Sequence, residues 1–111
     1  MPIERGEVYW VAFDPSVGGE IQKTRPAIVL SNNAANQVLN RIQVVPITSK
    51  ADRLYPGEAF VEVRGEKRKA MASQLATASK QRFGSRLDVL GSDDMARVEA
   101  AVALQLGLML K

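Results

Sequence analysis

The chain has 111 residues, 15 of them Lys or Arg against 12 Asp or Glu, for a net charge of +3; this is the size of one domain, spanning 1–111, and a balance compatible with a polyanionic partner. It contains no cysteine and no histidine, which excludes thiol nucleophiles, disulfides, most zinc sites and the imidazole acid/base pair. The opening residues lack the apolar core of a secretion signal and no run approaches the ~20 apolar residues of a membrane span, so a soluble intracellular protein is expected.

The segment Glu7 to Phe13 is aromatic and β-branched and is stopped by Asp14-Pro15, which predicts a strand entering a loop. Gly18-Gly19 keeps that loop adaptable. After Arg25-Pro26, the run Ala27-Ile28-Val29-Leu30 predicts a strand buried on both faces, closed by Ser31-Asn32-Asn33 with loop or cap chemistry. A third strand covers Ile42 to Ile47, where Pro46 removes a ladder donor and suggests a bulge or edge. Thr48 and Ser49 are thereby presented at a strand end. Phe60 to Val63 alternates as a half-buried strand, Arg64-Gly65-Glu66 is a turn, and Ala70-Met71-Ala72 is a short apolar stretch. These pieces imply a strongly bent antiparallel sheet. The last element is a helix from Ser92, read as its N-cap, to about Leu110, with Asp93 and Asp94 at the positive end of its dipole. Met95, Val98, Val102 and Met109 mark one face, and Leu104, Leu106 and Leu108 widen the apolar surface beyond a stripe.

Chemistry concentrates in the loop before the second strand, which places Glu20, Lys23 and Arg25 close together where a mobile loop meets a rigid strand. On spacing alone a solvated hairpin is the alternative. The order of residues is more specific. Arg5 to Pro15, then Gly19-Glu20, then Arg25 to Ser31 resemble the MazF/PemK (Kid) toxins, and the likeness continues through Val45 to Ser49, Gln74 and Lys80-Gln81-Arg82 into the terminal helix.

That resemblance implies a small SH3-like β-barrel with a C-terminal helix, forming a cytoplasmic homodimer that holds single-stranded RNA, with mRNA foremost, in a groove across its interface. It also implies a toxin endoribonuclease restrained by a cognate antitoxin, working without a cofactor or metal through the RNA's own 2′-hydroxyl. The products are a cyclic phosphate and a 5′-hydroxyl. The family's functional arginine and threonine fall on Arg25 and Thr48, and its loop glutamate on Glu20. One departure is clear: several relatives carry an acidic residue before the glutamine and some an arginine further upstream, where this chain has Ser73 before Gln74 and Met71 upstream.

The chemistry supports these positions independently. Transesterification needs a base for the 2′-hydroxyl, donors for the phosphorane and a proton for the departing oxygen. Arg25, with a reference pKa above ~12, suits a bidentate donor rather than an acid/base. Thr48, with Ser49 beside it, offers hydroxyl donors. Glu20 is either the base or the carboxylate that aims Arg25.

Two basic clusters, Arg64-Lys67-Arg68-Lys69 and Lys80-Arg82-Arg86, are ordinary solvated faces unless they flank the site and hold phosphates. Gln74 and Thr77 are candidates for base edges, and Gln22, Lys23 and Asn32 for contacts from the loops. Trp10 and Phe13 are expected in the core or in dimer packing. The competing reading is a non-catalytic barrel, either a CcdB-like topoisomerase poison or a nucleic-acid-binding regulator; binding to DNA by the toxin alone is not expected.

Overall fold

The computed structural model describes residues 2–13 and 23–108. The first expected strand forms as β1 (Glu7–Ala12) and lies antiparallel to β2 (Thr24–Val29), with Tyr9 opposite Ala27 and Trp10 opposite Pro26. A short helix, α1 (Asn33–Val38), then leads into β3 (Arg41–Thr48). The hairpin of β4 (Glu58–Val63) and β5 (Glu66–Met71) follows. After a 3-10 turn at Ala72–Gln74 come β6 (Ala76–Ser79), a second 3-10 turn at Lys80–Arg82, β7 (Phe83–Val89) and α2 (Ser92–Leu106).

All pairings are antiparallel, in the order β4-β5-β3-β2-β1-β7, with β6 also on β3. The third strand makes the sheet bend. Its first half, Arg41 to Val44, pairs with β6, whereas Ile47 and Thr48 pair with β5. Pro46 sits at this change of partner, a place where a residue without an N–H is tolerated. At the other edge, two register shifts between β1 and β7 add curl.

The outcome is the mainly β fold expected, a curled half-barrel closed by the C-terminal helix. The two ends of the sheet come close enough for the Asp88 carboxylate on β7 to accept from the Arg64 N–H at the β4–β5 turn, at 2.7 Å. Asp94 on α2 accepts likewise from Glu62 of β4 at 2.8 Å, which blunts that edge strand. The turn itself uses left-handed backbone at Arg64 (φ 52°) and Gly65 (φ 78°), as a two-residue hairpin loop requires.

Strand alternation divides the core in two. Val8, Ile28, Val45 and Ile47 face α2, where Met95, Val98, Ala101 and Val102 cover them together with Val61 and Ala70. Tyr9, Val11, Ala27, Val29 and Val44 face the opposite way and pack with Ile42, Ala78, Phe13 and Phe83. Burial on both faces explains the unbroken apolar run of β2.

The helix differs from the sequence expectation at both ends. Gly91, not Ser92, is the N-cap, and Gly107 ends the helix at Leu106 in a left-handed conformation (φ 71°). Leu108 N–H then bonds the Ala103 carbonyl at 2.8 Å, a glycine-terminated cap that stops the helix short of Leu110. Leu104, Leu106 and Leu108 are exposed on this chain; Met109 lies outside the described residues.

Candidate active site

In the β2–β3 register, Ala27 opposes Pro46, Ile28 opposes Val45 and Val29 opposes Val44. The ladder ends at the Ala27–Pro46 pair, so Arg25 lies two residues before its first paired position on β2 and Thr48 two residues past its last on β3. Arg25 opposes Val11 of β1, and Thr48 opposes Lys69 of β5. Thr48 and Lys69 therefore form one cross-strand pair at the end of β3, projecting to the same face with Cβ atoms about 5 Å apart, while Arg25 stands near the start of β2.

Beside this end of β3 opens a cleft of about 530 Å³, lined by Trp10, Thr24, Arg25, Pro26, Ile47, Ser49, Val63, Arg64, Glu66, Arg68 and Leu87. Its volume lies within the range of ligand sites. Three guanidiniums face one carboxylate, and that carboxylate, Glu66, is paired with Arg68 at 2.8 Å. The excess of positive charge suits a polyanion, and Trp10, 37% exposed, offers a ring for stacking.

Trp10 is thus only partly enclosed on this single chain and lies outside both core clusters, which is compatible with the dimer half of the expectation. It lies on the same side of β1 as Val8, beyond the part that α2 covers. The basic run on β5 also divides by alternation. Arg68 lines the cleft, Lys67 stacks over the Phe60 ring with Nζ 3.9 Å from the centroid, and Lys69 is only 5% exposed. In the second cluster, Arg82 donates to the Ala12 carbonyl at 3.0 Å and Arg86 pairs with Glu7 at 2.8 Å. These two cations brace β1.

Of the other expected contacts, Ser49 lines the cleft and Lys23 is exposed just before β2, in left-handed backbone (φ 66°). Gln74 ends the first 3-10 turn, half-buried. Asn32 lies past the far end of β2 from Arg25, where its side chain accepts from Ala35 N–H at 2.8 Å as the N-cap of α1. Thr77 is likewise remote, pairing with Gln43 near the start of β3 and accepting from its side-chain amide at 3.1 Å. The structure does not bring these two together with Arg25 and Thr48. Glu20 and Gln22 lie outside the described residues.

Titration is most perturbed in the brace. Burial acts to raise the Glu7 carboxyl, but a backbone bond from Glu4, the Arg86 guanidinium and the Tyr9 hydroxyl outweigh it and hold Glu7 below the usual carboxylate range. Burial, and then the adjacent Glu7, push the Tyr9 hydroxyl up to about 12.

The fold and the cleft together define a small half-barrel with a cleft rich in guanidiniums beside the end of β3. Residues 4–106 match the family described as PemK-like, MazF-like toxin of type II toxin–antitoxin system, and the chain belongs to that family. It is 30% identical to the endoribonuclease MazF9 of Mycobacterium tuberculosis, over 96% of this chain and 98% of that protein. It is also similar to the crystal structure of MazF from Deinococcus radiodurans, with a TM-score of 0.86, 29% identity and coverage of 97% of this chain and 99% of that one. A MazE–MazF structure from the same organism matches with a TM-score of 0.80 and 29% identity, over 98% of this chain and 100% of that one.

Proposed function

We propose that this chain is a toxin endoribonuclease that cuts single-stranded RNA, mRNA foremost, by attack of the 2′-hydroxyl on the adjacent phosphate. The observation that carries the reading is a cleft in which Arg25, Arg64 and Arg68 come together with Ser49, the neighbour of Thr48, and with Trp10. The O2′–P bond forms as O2′ loses its proton, the P–O5′ bond breaks, and O5′ takes up a proton. A cyclic phosphate and a 5′-hydroxyl result, with no metal required.

Arg25 donates two hydrogen bonds to the non-bridging oxygens as charge develops on them, and the Thr48 hydroxyl donates a third. Glu20 is the carboxylate assigned to the 2′-hydroxyl proton or to the aiming of Arg25. With Ser73 in place of an acidic residue before Gln74, more of the chemistry rests on these three. Trp10 stacks an unpaired base while Arg64 and Arg68 hold flanking phosphates. Ser49, Gln22, Lys23 and Gln74 are assigned to further RNA contacts, Asn32 and Thr77 being too remote on this chain to join Arg25's phosphate.

The working form is a homodimer in the bacterial cytoplasm, and the exposed Leu104, Leu106 and Leu108 suit an interface. A relative is found assembled as MazE–MazF, and a cognate antitoxin with acidic character would compete for the basic cleft of this chain. The test is incubation of the purified protein with mixed-sequence single-stranded RNA and its deoxy counterpart in excess EDTA. The expected outcome is RNA fragments with cyclic phosphate and 5′-hydroxyl ends and intact DNA. Uncut RNA across varied sequences, from a folded protein, would overturn the reading and favour a docking-type toxin.

A further inference from the structure

We propose that Lys69 is a positioning residue that fixes the β3–β4 loop and, through it, the Thr48 hydroxyl; the inference rests on the reaction proposed above. Lys69 lies within a run of four charged side chains on β5, three of them cationic, yet its own is almost fully enclosed. Its ammonium donates to the Arg53 carbonyl at 3.0 Å and pairs with Glu58 at 3.1 Å and Asp52 at 3.9 Å. The Tyr55 ring stands 5.5 Å away. Every partner belongs to one stretch, residues 52–58, which spans most of the loop from Thr48 to β4.

A buried ammonium is retained only where its donors and charge are met, so the loop is held in the one arrangement that meets them. Glu58 tightens it further by accepting from Tyr55 N–H at 2.8 Å. The same loop begins at Lys50, whose N–H donates to the Thr48 hydroxyl oxygen at 3.3 Å. That bond ties the Thr48 hydroxyl oxygen to the loop backbone, so the position of the loop sets the position of the hydroxyl. Lys69 is itself the residue opposite Thr48, so strand pairing and loop anchoring converge on the same hydroxyl.

Lys69→Met keeps the length of the stem and removes the charge. The expected result is a fall in kcat of about 10- to 10²-fold with little change in KM, the scale of a slightly misplaced reacting group. In a Thr48→Ala background the same substitution should cost nothing more, since its effect passes through that hydroxyl. The backbone amides of 49–57 should exchange faster with deuterated solvent while those of α2 stay protected. Wild-type kcat in a folded Lys69→Met protein, or an equal loss in both backgrounds, overturns the proposal. Should Lys69→Met fail to fold, Glu58→Gln takes its place, with faster loop exchange and lower kcat expected and unchanged values overturning it. If the wild type cuts no RNA, the reaction is what fails, and loop exchange still decides the anchor.

Discussion

Arg25 sits where two requirements coincide. Pairing with Val11 of β1 holds its backbone, and its side chain lines the cleft in which a phosphate is proposed to bind. Its side chain is only half-buried, so Arg25→Ala should leave thermal stability little changed while cleavage falls by ~10²- to 10³-fold, the scale of removing one transition-state donor. Single-turnover cleavage beside a thermal melt checks this, and full activity in a folded variant would refute the assigned role. The sequence led to Arg25 and Thr48 through resemblance, but that Thr48 stands opposite Lys69 needed the register. Lys69 was illegible for a simple reason: one ammonium in a basic run reads as solvated until a loop is seen to fold over it. For Trp10 the sequence left core and dimer packing both open, because a local alternation of aromatics and small residues does not disclose where a covering helix stops.

Among the elements, β1 depends on the group it shares with β7. Glu7 accepts from Tyr9 Oη at 2.9 Å and from Arg86 at 2.8 Å, and its carboxyl is held below the ordinary range. A lowered folded-state value means this stabilisation is fully present above the unfolded pKa, about 4.3 for Glu, and is lost as pH falls through the folded value. Glu7→Gln should therefore cost about 1–3 kcal/mol near neutral pH, and the gap from wild type should shrink on acidification below about pH 4. Denaturant melts at several pH values measure it; a gap that widens in acid would refute it. On the other side of the sheet, Val98→Asp would place an uncompensated charge against Val8, Ile28 and Ile47 and should lower stability by at least about 3 kcal/mol. β1, the apolar run of β2, the Arg64-Gly65 turn and α2 were legible because their patterns are set by burial on known faces. β7 and β6 were not, since the former is largely exposed and the latter has four residues, and neither carries a clear alternation. α1 is six residues held by the Asn32 cap, too short for a helical period to register.

At the scale of the molecule, a net charge of +3 is small, so RNA affinity must come from where the charge lies. Arg82 and Arg86 brace β1 and Lys69 holds a loop, while Arg25, Arg64 and Arg68, the last paired with Glu66, are the cations that line the cleft among the described residues. Three phosphates neutralised on a single strand give a slope of log K against log salt of about −2, at roughly −0.7 per phosphate. Arg68→Gln should flatten that slope by about 0.7. Trp10→Ala removes a stacking surface and no charge, so it should weaken binding by about 1–3 kcal/mol and leave the slope unchanged. Titrating 2′-O-methyl RNA, which cannot be cut by its own 2′-oxygen, separates the two contributions without interference from cleavage. If Trp10→Ala altered the slope while Arg68→Gln did not, the strand would have to run elsewhere on the surface, and the cleft would no longer account for the way this small half-barrel holds RNA.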